Sequence, residues 1–331
     1  MSIKRDAILA GVAAATEVLD RLDVRETVES GTRGNVDVFG SIIKEGAMLL
    51  FRPLEGLLGA CLIGPGVIIS TERALPVQRF TGAHELGHVA MHHSFSIDGE
   101  EILGKLMPET DDMEMEANAF AAEFMLPRWL LEYHGRRQGW DALSIRDPLT
   151  VYQMSLRTGA SYEATTWALE RHKIVTHDLG DKLRKVQPRD IKRSLLPGYV
   201  PPNWYRDVWV LTAKDEGALI EGQPDDLFLF VLNEKTGAGY IWDFETLKTN
   251  GFAVLNDVRE FPADGQGVGA EATRKLAAHT PGELRGELHL ILKRPWEMLS
   301  APGEDLQIKY DLYGKEAGLP RIQRLEFAQN P

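Results

Sequence analysis

The sequence holds one cysteine, Cys61, so no disulfide can form within the chain and a disulfide-stapled scaffold is excluded. Its neighbours Gly59, Ala60, Leu62 and Ile63 give that thiol the setting of a small buried hydrophobe rather than a reactive nucleophile. Basic charge is also short. Against 49 Asp and Glu stand 37 Lys and Arg, for a formal net charge of -12. Such a chain repels phosphates, whose contacts dominate nucleic-acid binding, so no direct binding of nucleic acid is expected. No stretch approaches the roughly 18 apolar residues that a membrane span needs. The start, Lys4-Arg5 followed by Ala7 to Ala15, imitates a signal peptide, but Asp6 interrupts it and Glu17, Val18, Leu19, Asp20 and Leu22 continue it as an amphipathic helix. A cytoplasmic protein is the expectation.

What is there suits two domains with separate cores: 331 residues, 44% hydrophobic and 26% charged. Apolar periodicity predicts helices over 5–22, 77–92, 112–126, 148–158 and 161–172, with Pro127 stopping the third and Ser161 capping the last. Residues 36–43 read as a short helix or a strand, and 48–51, 60–63 and 66–70 as a small meander of strands. Pro197, Gly198, Pro201 and Pro202 mark a boundary beyond which alternation replaces helical periodicity. Strands are predicted at 208–211, 227–232, 240–244, 287–293 and 306–312, with 271–278 a helix or a loop. The expected fold is α+β over residues 1–198, followed by an all-β sandwich over 203–331.

Within the predicted helix at 77–92 stands His84-Glu85-Leu86-Gly87-His88. Residues four apart lie one turn above each other, so both imidazoles can bind one metal ion while Glu85 stands beside that face as a general base. The five-residue pattern alone also arises in helices that bind nothing. Here two further features favour a metal. Ala83, Leu86, Gly87, Val89 and Ala90 make a deeply packed helix, a poor place for two imidazoles and a carboxylate without a reason. The acidic segment 111–122 can return a third ligand and leave open the position that a catalytic zinc requires. Glu114 is favoured, because it shares a face with the small residues Ala117 and Ala121 and with Asn118, which would orient a ligand histidine. Glu116 is the alternative ligand, otherwise a solvated rim carboxylate. His92 and His93 read as structural or solvated, and His134, His172 and Tyr162 as unassigned candidates for stabilising an oxyanion. The expected cofactor is one Zn2+ per chain, although two imidazoles and a carboxylate also accept manganese, cobalt or iron.

Residues 79–88, Arg-Phe-Thr-Gly-Ala-His-Glu-Leu-Gly-His, and 114–127, Glu-Met-Glu-Ala-Asn-Ala-Phe-Ala-Ala-Glu-Phe-Met-Leu-Pro, together resemble the ImmA/IrrE family of metallo-endopeptidases. The likeness runs over roughly residues 5–175, including Leu149 to Ser155 and Tyr162 to Thr165, which resemble that family's helix-turn-helix-like region. What the resemblance implies is a gluzincin-like site in a cytoplasmic protease that cleaves a helix-turn-helix transcriptional repressor, in response to stress or to mobile-element signalling.

Three later segments resemble, in order, the loops by which chagasin-like inhibitors enter papain-type cysteine peptidases: residues 233–242, the glycine loop 265–269, and Arg294-Pro295-Trp296. That resemblance implies an immunoglobulin-like sandwich, with Tyr240, Trp242, Arg294 and Trp296 as protein-binding residues. The first loop departs from the pattern, since Glu234 stands where the family usually has proline and two extra residues precede Tyr240. A papain-type peptidase is therefore the disfavoured partner. The reading favoured by the sequence is a repressor-cleaving zinc endopeptidase whose β domain recruits substrate or controls the site. The rivals are a non-catalytic regulator-binding protein and a cysteine-peptidase inhibitor acting through the C-terminal loops.

Overall fold

The computed structural model describes residues 2–62, 66–93, 96–99, 112–196, 199, 201, 203–261, 271–297 and 304–329. Asp111, the boundary residues Pro197, Gly198 and Pro202, and the glycine loop 265–269 lie outside the described residues. The chain is mixed α+β. It folds into two compact units, the first made of Met1–Tyr133, Thr158–Gly180 and Lys315–Pro331, the second of His134–Arg157 and Asp181–Gly314.

The first unit opens with helices α1 (Ser2–Arg21), α2 (Val24–Glu29) and α3 (Val38–Lys44). Asp37 decides between helix and strand for the third, because its side chain accepts the Gly40 amide at 3.0 Å as an N-cap. Strands β1 (Met48–Arg52), β2 (Leu57–Leu62) and β3 (Gly66–Ser70) follow, then helix α4 (Leu75–Ala90), strand β4 (Ser96–Gly99) and helix α5 (Asp112–Met125). The sheet order is β1-β3-β2-β4, with β1 parallel to β3. The strands are thus no meander: β2 lies between its hairpin partner β3 and β4, and β1 joins the far side of β3.

Small residues let the helices close on this sheet and on each other. A Cβ at Gly87 of α4 would sit 3.1–3.2 Å from Phe120 and Ala117 of α5, and one at Gly82 at the same distances from Phe39, Val38 and Ile69. Each glycine costs a helix roughly 1 kcal/mol relative to alanine, offset by the packing of the fully buried Leu86, Phe120 and Phe124, worth about 1.5–3 kcal/mol apiece. Gly59 interrupts the β2–β4 register for a related reason. A Cβ there would meet Thr81 at 2.5 Å and the Glu85 carboxylate at 2.9 Å, so glycine marks the close approach of strand to helix. The far end of α5 is capped from outside, its Leu126 carbonyl meeting the Arg171 guanidinium at 3.1 Å and the His172 ring at 2.9 Å.

The C-terminal stretch belongs to this unit. Gly318 exchanges backbone hydrogen bonds with Phe51 at 2.8 and 2.9 Å. The buried Gln78 amide, on the helix that carries His84, accepts from the Glu316 amide at 2.9 Å and donates to the Glu316 and Ser70 carbonyls at 3.1 and 3.0 Å. A last helix, Arg321–Gln329, follows.

Helices α6 (Arg128–Gln138), α7 (Pro148–Thr158) and α8 (Tyr162–Arg171) come next in the chain, with two short helices at His177–Arg184 and Pro188–Leu195. The second unit then holds β5 (Val208–Leu211), β6 (Ala218–Gly222), β7 (Leu227–Glu234), β8 (Ile241–Asp243), β9 (Ala253–Glu260), β10 (Ala272–His279), β11 (Leu284–Lys293) and β12 (Glu304–Leu312). They form two sheets, β5-β7-β10-β9 and β6-β12-β11-β8. Phe252 bridges them, edge-on to Phe228 of one and to Tyr310 of the other. The outer edge of β5 is closed by side chains of α7. Gln153 donates to the Val208 carbonyl and accepts the Val210 amide at 2.7 and 2.8 Å, and Tyr152 Oη accepts the Val208 amide at 2.9 Å.

Residues 271–278, read from the sequence as a helix or a loop, are strand β10 between β7 and β9. Alanine, arginine and lysine favour helix weakly, and the ladders on both sides override that preference. Trp242 is likewise corrected. It is 3% exposed with its indole donating to the Asn233 carbonyl at 2.9 Å, so it packs within the unit and is not available as a protein-binding residue. Glu234, the departure in the first loop, is fully buried. Its carboxylate accepts from the Trp242 amide at 2.9 Å, Arg259 at 2.6 Å and Arg274 at 3.0 Å.

Candidate metal centre

Helix α4 presents His84 and His88 on one face, and α5 brings Glu114 against them across the Gly87–Ala117 approach. One atom from each of the three lies within 4.8 Å of the others. The two Nε2 atoms are 3.0 Å apart, and the Glu114 carboxylate oxygens stand 3.2 Å from His84 Nε2 and 3.5 Å from His88 Nε2. Both imidazoles are 1% exposed. These separations suit a single ion: nitrogen ligands at about 2.0–2.1 Å in tetrahedral geometry lie about 3.3 Å from each other. The donor set also fits, since Glu114 Oε2 is buried with no hydrogen-bond partner among the described residues, and a buried carboxylate oxygen needs compensation.

Asn118, one turn beyond Glu114, places its Oδ1 3.1 Å from His84 Nδ1. An amide oxygen only accepts, so the His84 proton is held on Nδ1 and the lone pair on Nε2 is turned toward Glu114. Glu85 is fully buried, with its carboxylate against β2 at Gly59.

Of the two roles read from the sequence, His93 fills the structural one, and Glu116, a half-buried carboxylate at the rim of the cluster, is its partner. His93 Nδ1 lies 3.0 Å from His88 Nδ1, and His93 Nε2 lies 2.8 Å from Glu116 Oε2. The sequence signal was faint: a second histidine directly after the expected helix end, and an acidic residue on the other face of α5. Among the other candidates, Tyr240, Arg294 and Trp296 come together. The Arg294 guanidinium stacks 4.6 Å over the Tyr240 ring and donates to the Ala238 carbonyl at 2.9 Å, while Trp296, 69% exposed, lies against Gly239. His172 caps α5, and burial holds its pKa below the ordinary value.

Residues 45–169 match the family model Peptidase_M78, the IrrE N-terminal-like domain. The resemblance carried by the two motifs holds over that stretch, which indicates a metallopeptidase-like domain with His84, His88 and Glu114 as a cluster that could bind a metal. No curated protein matches the chain. Among solved structures, the cysteine protease inhibitor EhICP2 from Entamoeba histolytica is similar at 23% identity over 33% of this chain and 97% of its own, with a TM-score of 0.30. Amebosin is similar at 16% identity over 32% of this chain and 97% of its own, with a TM-score of 0.26. Among the described residues no helix is long and apolar enough to cross a membrane.

Proposed function

We propose that the protein is a zinc-dependent endopeptidase of gluzincin type, with His84, His88 and Glu114 as metal ligands and Glu85 as general base. The observation that carries this reading is the convergence of His84 Nε2, His88 Nε2 and a Glu114 oxygen that has no hydrogen-bond partner among the described residues. His84, His88 and Glu114 would hold a zinc ion, which would supply polarisation of a scissile carbonyl and acidification of a water molecule. Glu85, next in sequence to a ligand histidine, takes the proton of the attacking water onto its carboxylate and passes it to the leaving amine. Burial of the carboxylate keeps it from bulk solvent and holds it in one place against β2.

The substrate in this reading is a helix-turn-helix repressor cleaved in a stress or mobile-element response within the cytoplasm, and the family resemblance is what recommends it. The β-rich stretch that the sequence reading sets at 203–331, proposed as an immunoglobulin-like domain apart from residues 315–331, which belong to the first unit, recruits that substrate or controls the site. An exposed Trp296 beside the Tyr240–Arg294 stack favours a protein-binding surface, because rigid aromatic area loses little entropy on association. The test is cleavage of the candidate repressor by zinc-loaded protein, with His88→Ala as the metal-deficient control. An intact repressor with both proteins would reject the substrate, and equal cleavage by both would reject the site.

A further inference from the structure

His88 uses both ring nitrogens. Nε2 faces His84 and Glu114, while Nδ1 faces His93 Nδ1 at 3.0 Å, and His93 Nε2 meets Glu116 Oε2 at 2.8 Å. The carboxylate at the end of this series gives it a direction. An ionised Glu116 only accepts, so His93 carries its proton on Nε2 and offers the lone pair of Nδ1. His88 must then hold its own proton on Nδ1, which leaves the Nε2 lone pair turned into the site. The His93 side chain is 7% exposed, and its ring stands at 71° to the His88 ring with centroids 5.0 Å apart, so neither ring turns without losing a contact.

The backbone puts His93 there at a cost. Helix α4 ends with His92 in the left-handed region at φ 56°, a conformation strained for a residue with a Cβ. His92 donates its amide to the Val89 carbonyl at 3.2 Å and His93 to the His88 carbonyl at 2.9 Å, the paired bonds of a helix end that ordinarily has glycine at the left-handed position. That turn folds the chain back and lays His93 over His88. A non-glycine residue held in such a conformation is the kind of outlier that points to a role.

We propose that His93 and Glu116 are positioning residues that fix the tautomer and the orientation of His88 for metal binding. This inference rests on the reading of His84, His88 and Glu114 as ligands. It makes Glu116 a contributor to metal affinity that never touches the ion, in parallel with the part Asn118 plays for His84. Glutamine at position 93 keeps one acceptor and one donor, whereas phenylalanine keeps the ring volume and loses both.

The test measures zinc affinity of the full chain by competition with a chromophoric chelator, alongside 15N NMR of the His88 ring. His93→Phe is expected to weaken zinc binding about 10–100-fold and to blur the His88 tautomer, and His93→Gln to restore most of the affinity. Glu116→Gln, which leaves the rings in place, is expected to weaken binding several-fold. It carries the test should His93→Phe fail to fold. Zinc affinity unchanged from wild type in folded His93→Phe or Glu116→Gln would overturn the proposal while leaving the three ligands standing. A wild-type chain that takes up no zinc would overturn the ligand reading and this inference with it.

Discussion

Glu234 in the β-rich unit and Glu114 in the helical unit are both carboxylates turned inward among basic side chains, and they are compensated to different degrees. Glu234 is fully buried, yet two guanidinium groups and a backbone amide complete its shell. Glu114 has two imidazole nitrogens nearby and a buried oxygen without a hydrogen bond among the described residues. A finished polar cluster stabilises its own fold, whereas a cluster left short of one positive charge is held together by the surrounding packing and is suited to receive a cation. That contrast separates a structural ion-pair hub, sealed from solvent, from a binding site whose carboxylate keeps 19% of its side chain exposed.

The contrast can be broken in several ways. Glu85→Gln leaves the ligands untouched and removes the proposed base, so zinc content should be unchanged while repressor cleavage falls on the order of 10³-fold or more. Retained turnover in that variant would remove Glu85 from the mechanism. Glu234→Ala takes the acceptor from the Trp242 amide and from Arg259, while Arg274 keeps its pair with Asp257, and should destabilise the β-rich unit by about 1–3 kcal/mol in urea unfolding. Glu114→Gln in metal-free protein should cost no stability, because it removes a poorly compensated charge. A similar loss in both variants would erase the distinction.

Removing residues 315–331 deprives the first unit of its returning segment. Gln78 then loses both its bonds to Glu316, each buried polar group left over costing about 1–3 kcal/mol. The expected outcome is weaker metal retention and faster proteolysis of residues 1–133, even though the truncation lies far along the sequence from His84. Cutting at 203 removes the same segment, so a peptidase fragment ending there should be less stable than the full chain.

The smallest effect concerns pH. Burial first, and the nearby Asp207 second, push the Asp226 pKa up to about 7. The folded protein therefore retains a proton that the unfolded chain, with an ordinary Asp near about 3.9, has already released. Stability contributed by this group is present below the unfolded value and is lost as pH rises toward about 7, by at most about 1.4 kcal/mol per pH unit. Unfolding followed between pH 5 and pH 7 should show that decline, and Asp226→Asn should flatten it.

Much of this molecule was legible where one physical signal dominated. The helix bearing His84 and His88, the acidic helix bearing Glu114 and the Ser161 cap, whose side chain accepts the Ala164 amide at 3.1 Å, follow from periodicity and local chemistry. The segment at β10 was not legible, because its alanines and basic residues gain a strand's environment only from β7 and β9. The role of Glu234 depends on Arg259 and Arg274, which lie 25 and 40 residues further on. The His93 contact depends on a left-handed histidine that no propensity would place at position 92. Nor does composition reveal that the last residues of the chain return to the helix that carries the ligands.

Metal analysis of the purified full chain tests the central claim most directly, by inductively coupled plasma mass spectrometry after dialysis against zinc and then against metal-free buffer. About one zinc per chain is expected for the wild type and essentially none for His84→Ala, His88→Ala or Glu114→Ala, with Glu85→Gln retaining the full complement. Zinc retained equally by all three alanine variants, or absent from the wild type, would contradict that claim.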